Sequence, residues 1–105
     1  MIREILRASA IPSRPARYSD PPPLHAVYFD SLDTDGSDGE PSTIFDHSCT
    51  VELYAPDTDS GAAALKRLMA QLDARGIHYA TQGWYWLGSI QRYQEVIEFS
   101  HIEKI

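Results

Sequence analysis

The sequence predicts a single α/β domain of the α+β type, spanning residues 1–105, in which an antiparallel or mixed sheet of about four strands is covered by a helix. Three observations predict this class. The chain has 105 residues, which is the length of one domain. Apolar and polar residues alternate from Thr43 to Ala55, as in a half-buried strand. From Ala62 to Ala74 the apolar residues recur at helical spacing. The expected element order is α-β-β-α-β-β, with the strands in two hairpins.

The N-terminal part, residues 1–23, is expected to be a short helix followed by a proline-rich arm. Apolar residues share one helical face over Met1–Ser9. Five prolines follow between Ile11 and Pro23, so the arm should be extended and should not supply a central strand. Its P-x-x-P-x-R pattern at residues 12–17 is short, and we interpret it as a connector rather than a polyproline ligand.

Residues 24–55 are expected to form a β-hairpin with a long tip. Leu24–Ser31 is rich in aromatic and β-branched residues, which favours a strand. Residues 31–42 combine Asp, Gly, Ser and Pro and therefore predict an acidic loop. Thr43–Ala55 is the clearest strand in the chain. The two strands should pair antiparallel, because a parallel pairing needs a crossover that is usually helical.

The second half of the chain repeats this order of helix and strands. Residues 56–60 form a turn that supplies an N-cap, Ala62–Ala74 forms a covering helix, and Gly76 ends it. Residues 77–87 return to aromatic and β-branched residues, and Gln91–Ile102 follows as the final strand. These strands should form the second hairpin.

Charge is divided unevenly along the chain, although the net charge is only −6. Residues 1–17 hold four Arg and one Glu, residues 18–59 hold ten acidic and no Lys or Arg residues, and residues 60–105 hold five basic and four acidic. The acidic stretch 18–59 argues against generic nucleic-acid binding, because contacts with phosphates need clustered Lys and Arg. The acidic loop is either simply solvated or attracted to the basic arm of a neighbouring copy.

The composition indicates neither a membrane protein nor a disulfide-stabilised one. No apolar run approaches the roughly 20 residues of a membrane span, and charges interrupt the N-terminal apolar residues, so we expect no secretory signal. The single cysteine, Cys49, cannot form an internal disulfide. We therefore expect a cytoplasmic protein or a subunit of a particle that assembles in the cytoplasm.

No enzyme, metal or cofactor motif withstands inspection, and we expect no catalytic residue, no metal site and no cofactor. If Asp33 began a calcium loop, Asp38 would stand where Gly is required and Ile44 where Glu is required. His47 and Cys49 lie two apart on one strand face, a pattern more typical of a packed core than of a nucleophile and its base.

The remaining candidates are residues for contact with other proteins. Paired tryptophans two apart on a strand can either pack at the sheet edge or anchor an interface. The candidate interface residues are Arg14, Arg17, Asp33, Asp35, Asp38, Glu40, Trp84 and Trp86.

With these elements in order, the chain resembles the small tail-completion, or tail-terminator-like, proteins of long-tailed bacteriophages. The resemblance starts with a short helix, a Pro-Pro pair and an aromatic strand (PPPLHAVYFDS), followed by a long loop. It continues with a strand ending in V-E-L-Y, a helix closing on Ala-Arg-Gly-Ile at residues 74–77, and an aromatic hairpin whose last strand covers Tyr93–Phe99. It covers nearly the whole chain as an order of elements.

This resemblance implies a structural virion protein of the tail and neck, assembled in the host cytoplasm. It would form a closed ring, typically of six copies, that caps the head-proximal end of the tail tube and docks a head-side connector. DNA would only pass through the channel, without specific binding. The alternatives are another head-to-tail connector component, such as a head-closure or adaptor protein, and a small monomeric cytoplasmic protein-binding module.

Overall fold

The computed structural model describes residues 1–34 and 44–104, without the side chains of residues 32–34, 44–47 and 101–104. It is an α+β fold with a mixed sheet and two helices. In chain order the elements are α1 (Ile2–Ala8), β1 (Ser13–Pro15), β2 (His25–Thr34), β3 (Ile44–Ala55), α2 (Thr58–Ala74), β4 (Tyr79–Thr81), β5 (Tyr85–Leu87) and β6 (Arg92–Lys104).

The sheet has six strands in the order β1-β2-β3-β6-β4, and β5 also pairs with β6. β2, β3 and β6 form a long antiparallel centre, in which Leu53 lies between Ala26 and Glu95. β1 pairs with β2 in parallel, so it forms one edge, and β4 forms the other. The predicted pairing of β2 with β3 as an antiparallel hairpin is confirmed.

Helix α2 covers one face of the sheet. Its N-cap is Asp57, whose Oδ1 accepts a hydrogen bond of 2.7 Å from the Ser60 backbone N–H. Gly76 follows its C-terminus with φ +67°, a left-handed conformation that favours glycine. The predicted cap and stop are thus confirmed, and the helix begins four residues earlier than Ala62. Its buried Leu68 and Leu72 join the sheet residues in one core.

Helix α1 belongs to the same core, through the fully buried side chains of Ile5 and Leu6. Its end is fixed to α2, because Arg67 Nε donates a 2.8 Å hydrogen bond to the carbonyl of Ser9. Ser9 Oγ in turn donates to the Ile5 carbonyl at 2.7 Å. Neither helix is long and apolar enough to cross a bilayer in the described part of the chain.

The three central strands are the longest of the sheet, with 10, 12 and 13 residues. Towards one end of them Phe29, Ser31, Ser48 and Ser100 are exposed, and the strand register puts all four on the sheet face opposite the helices. The principal extents of 50 × 27 × 21 Å and the radius of gyration of 15.2 Å show that the molecule is elongated, since about 13 Å is typical of a compact chain of 100 residues. We call this end of β2, β3 and β6 the strand ribbon.

The prediction of about four strands in the order α-β-β-α-β-β is wrong in its details, because the structure has six strands. One addition is β1, which lies within the proline-rich arm. β1 is an edge strand that pairs only with β2, and an edge strand tolerates prolines that a central strand would exclude. The arm is therefore part of the sheet and not only a connector, and its residues 13–15 are a strand rather than a polyproline helix.

The other addition comes from residues 77–87, which form two short strands along β6. Thr81 pairs with Ile97 and Tyr85 with Gln94, so three residues on one side face two on the other. This is a bulge, and Gly83 adopts φ +96° within it. The buried carboxylate of Glu95 holds it, since Oε1 accepts hydrogen bonds of 2.9 Å from both Gln82 N and Gly83 N.

The first hairpin also differs from the prediction at its tip. β2 continues to Thr34, three residues beyond the predicted end at Ser31, because its pairing with β3 persists to Phe45. The predicted acidic loop was residues 31–42, and of these residues 35–42 lie outside the described part.

Candidate interface surfaces

A groove with several arginines lies beside α1 and β1. Its cavity of about 590 Å³ is bounded by three arginines together with apolar and hydroxyl-bearing residues. Arg3 and Arg7 lie one helical turn apart on α1 and are exposed. We call this surface the basic groove; its lining is Arg3, Arg7, Ile11, Ser13, Arg14, Pro15 and Tyr28.

The free edge of β1 is closed to further strands. The bonds from Ala26 N to the Pro12 carbonyl and from Ala16 N to the Tyr28 carbonyl show which groups face β2, so Ser13 and Pro15 face outward. Pro15 has no N–H, and its carbonyl accepts from Arg17 N at 2.6 Å. The Ser13 carbonyl accepts from the Arg14 guanidinium at 3.0 Å. A contact at this edge should therefore use side chains and not sheet pairing.

The rest of the arm folds over the sheet face opposite the helices. The His25 ring stacks on Tyr54 with centroids 4.9 Å apart, and Tyr18 meets it edge-on at 5.4 Å. His25 Nδ1 lies 2.8 Å from the Pro22 carbonyl, which can only accept, so this nitrogen carries a proton. Burial lowers the pKa of His25, and Arg92 lowers it further, although the Pro22 bond opposes them.

Arg17 contributes to a different cavity from Arg14. This second cavity, of about 310 Å³, lies where the arm crosses the open sheet face. The guanidinium of Arg92 fixes its rim by donating to the Pro23 carbonyl at 3.2 Å. The two candidate arginines therefore serve separate surfaces. The lining of the second cavity is Ala16, Arg17, Tyr18, Pro21, His25, Val27, Glu52, Tyr54, Ile90 and Arg92.

The two candidate tryptophans have different environments. Trp84 packs against the core, where it lies so close to Gly61 that a Cβ at that position would be 2.8 Å from its Cη2 atom. Trp86 is 53% exposed, with its ring 4.8 Å from Tyr93. Of the pair, Trp86 is therefore the one available to a partner.

Trp86 belongs to a small exposed apolar tip. Tyr85 precedes Trp86 in β5 and is 59% exposed, and Ile90, in the turn from β5 to β6, is 50% exposed. Aromatic side chains of this kind are common anchors of protein interfaces. Sequence reasoning identified Trp86 but not Tyr85 or Ile90.

Cys49 is buried at 2% exposure, and its Sγ lies 3.7 Å from Asp30 Oδ1. Burial raises the pKa of this thiol to about 12, and the neighbouring carboxylate adds to the shift. A thiol that stays protonated is a poor nucleophile. The described residues contain no group of three or more His, Cys, Asp or Glu side chains arranged to hold a metal ion.

Most of the acidic candidate interface residues lie outside the part of the chain that the structure describes. Asp33 lies in β2 with its backbone opposite Asp46, and its side chain is not described. Asp35, Asp38 and Glu40 lie outside the described residues. The structure adds Arg3 and Arg7 to the candidate interface residues. The excess of Arg over acidic residues in residues 1–17 could have indicated them.

No protein-family model matches the chain, and no curated protein is significantly similar to it.

Proposed function

We propose that this protein is a structural subunit that assembles with copies of itself into a ring, as a tail-completion protein of a long-tailed bacteriophage. The ring would cap the head-proximal end of the tail tube and provide a docking surface for the head-side connector. Its place would be the tail and neck of the virion, after assembly in the host cytoplasm.

The observation that carries this proposal is the strand ribbon. Sheet residues normally have one face against a core. Here Phe29, a large apolar side chain, is 42% exposed beside the exposed Ser31, Ser48 and Ser100, all on the face opposite the helices, so nothing in the described part of the chain covers this end of that face. Such strands gain stability when another subunit packs on them. A ring provides that contact at every subunit, because a head-to-tail contact repeated around an axis can close.

The open sheet face and the apolar tip favour the same role. Val96 and Thr50 are only half-buried on the face opposite the helices, and the tip carries Tyr85, Trp86 and Ile90. A 105-residue domain buries a modest share of its surface when alone, so it gains from contacts between copies. The resemblance to tail-completion proteins supplies the identity of the assembly.

The test is the native mass of the purified protein combined with negative-stain imaging, first alone and then with tail-tube protein. Rings that are free or appear at tube ends are expected. Phe29→Ser should reduce ring formation, because it removes an apolar side chain from the ribbon. Ala80→Ser is the matched control, since it adds a hydroxyl at an exposed position of the sheet edge strand β4.

Two outcomes would contradict the proposal. A protein that forms rings and binds only portal-side proteins would be a head-side connector component. A strict monomer that ignores both tube and portal-side proteins would be a binding module. For that module the exposed Trp86 would be the first residue to replace.

A further inference from the structure

The basic groove concentrates positive charge that the described part of the chain does not neutralise. Arg3 and Arg7 form no ion pair with a described carboxylate, and none of the described residues that line the groove is acidic. Like charges one turn apart on a helix repel each other and destabilise it. An anionic partner would remove this repulsion.

The shape and chemistry of the groove favour an extended acidic segment over a compact anion. At about 590 Å³ it is larger than one phosphate needs, and Ile11, Pro15 and Tyr28 provide apolar walls between the guanidinium groups. Closure of the β1 edge means that such a segment would be held by side chains and not by backbone pairing.

The chain itself contains a segment of this chemistry. We call residues 33–40, with the sequence DTDGSDGE, the acidic segment; it has four carboxylates in eight residues. No Lys or Arg occurs anywhere in residues 18–59 to neutralise it locally. The strongest acidic and basic concentrations of the sequence are therefore complementary.

Geometry directs this complementarity to a second copy. Tyr28 lines the groove, and Thr34 lies six strand residues further along β2, which is about 20 Å. β2 therefore leads the chain away from the groove of its own subunit, and most of the acidic segment follows its end at Thr34.

We propose that the basic groove of one subunit binds the acidic segment of a second copy of this chain. The inference rests on the proposed assembly of copies and specifies its contact. Because groove and segment are different surfaces, the contact is head-to-tail, the type that generates rings. It is electrostatic, so it weakens as the ionic strength rises.

The first experiment measures binding of a fluorescent peptide, residues 31–42, to the full-length protein by anisotropy at several salt concentrations. The double variant R3E/R7E should weaken binding roughly tenfold or more. The matched control K66E/R75E makes the same change in net charge at exposed positions of α2 and its C-cap. It should bind within about twofold of the wild type. Circular dichroism confirms that both variants fold.

Three results would overturn the proposal. The first is wild-type affinity in R3E/R7E. The second is equal loss in R3E/R7E and K66E/R75E, which would mean attraction by diffuse charge. The third is binding of a 20-base-pair DNA duplex in the groove more tightly than the acidic peptide, which would make the groove a nucleic-acid site. A peptide with Asn and Gln in place of its four carboxylates should not bind.

A charge-exchange experiment tests the contact in the whole protein. R3E/R7E and a second variant, D35K/D38K, should each fail to self-associate at low salt, and their mixture should recover association by sedimentation. No recovery would contradict the contact. Peptide binding without rings at tube ends would overturn the proposed function alone. Rings that R3E/R7E leaves unchanged would overturn the contact alone.

Discussion

The contact between Gly61 and Trp84 decides how the last hairpin meets the helix. Gly61 is buried in the first turns of α2, and an added Cβ would lie 2.8 Å from Trp84 Cη2 and 3.0 Å from Ala55 Cβ. Gly61→Ala should therefore destabilise the fold by about 1–3 kcal/mol, because overpacking outweighs the better helix propensity of alanine. Chemical denaturation measures this change.

Gly88→Ala is the matched control for this substitution. Its added Cβ would meet only Trp86 Nε1 at an ordinary 3.7 Å, so the free energy of unfolding should change by less than about 0.5 kcal/mol. Combining Gly61→Ala with Trp84→Phe should cost less than the two changes do separately, since the atom that clashes is removed. Simple additivity would contradict the contact.

Glu95 is a buried acid whose role is structural. Its Oε1 accepts from the backbone N–H groups of Gln82 and Gly83, and so fixes the bulge between β4 and β5. Glu95→Ala should lower the free energy of unfolding by about 2–4 kcal/mol, because two backbone donors lose their shared acceptor inside the fold. Glu95→Gln should cost less, since its amide oxygen still accepts. The exposed Glu98→Ala is the control, and an equal loss there would contradict this role.

His25 makes stability depend on pH. Its pKa is lowered from 6.5 in the folded protein, so the unfolded chain binds a proton more readily. The free energy of unfolding should fall as the pH drops below about 6.5 and the buried ring must be protonated. The groups that face the ring are Tyr18, Tyr54 and Arg92, and among them the fixed charge of Arg92 disfavours the imidazolium.

Denaturation curves between pH 5 and pH 8, at intervals of about half a pH unit, test the role of His25. His25→Phe keeps a ring for stacking on Tyr54 and removes the titrating group. The variant should lose part of the stability decrease on acidification. If it loses stability below pH 6.5 as steeply as the wild type does, His25 is not responsible.

At the scale of elements, the strands and helices with long regular patterns were predictable. β3 and α2 have sustained periods of two and of 3.6 residues, and their faces, cap and stop agree with the sequence. β1 was not predictable, because Ser13–Pro15 is a strand only through its pairing with β2. The same is true of β4 and β5, whose separation depends on a bulge held by Glu95.

The candidate surfaces also depend on contacts that the local sequence pattern does not show. Arg14 and Arg17 are three residues apart in the arm, yet the strand β1 and the turn after it, where Ala16 has φ +59°, send them to different cavities. Trp84 and Trp86 are two residues apart, but Trp84 lies between β4 and β5 and packs beside Gly61, whereas Trp86 lies in β5 and is exposed. Such outcomes depend on tertiary neighbours, which a local sequence pattern does not contain.

One long-range hydrogen bond adds to the core contacts that attach α1 to α2. Arg67 Nε donates to the Ser9 carbonyl at 2.8 Å across 58 residues of sequence. Arg67→Ala should destabilise the protein by about 1–2 kcal/mol, and amide hydrogen exchange should accelerate in α1 more than in α2. Arg75→Ala, which only loses exposed bonds to Gln71, is the control. Uniform acceleration in both helices would contradict a specific attachment.

At the scale of the whole molecule, the fold separates a stable body from surfaces that lack partners. Two helices and one sheet face make a single core, which contains Leu53, Leu68 and Ile97. The strand ribbon, the open face, the apolar tip and the basic groove lie outside it. Their combination on one small domain is what a repeated, head-to-tail contact requires: two different surfaces on each subunit.

This organisation predicts that thermal stability depends on protein concentration. Copies that bind only folded subunits stabilise them by mass action, by about 2.7 kcal/mol when the free subunit is at 100 times its dissociation constant. The Tm should therefore rise by several degrees as concentration increases over a hundredfold range at low salt. High salt should reduce this rise, because contact through Arg3 and Arg7 is screened.

Phe29→Ser and R3E/R7E separate the two contributions to this effect. The first should flatten the concentration dependence at every salt concentration, since it changes an apolar contact of the ribbon. The second should flatten it only at low salt, since it changes a charged contact. K66E/R75E should behave like the wild type. A wild-type Tm that stays constant across the whole concentration range, in the presence and absence of salt, would mean that the folded subunit has no affinity for its own copies, and the exposed ribbon would then need a different partner.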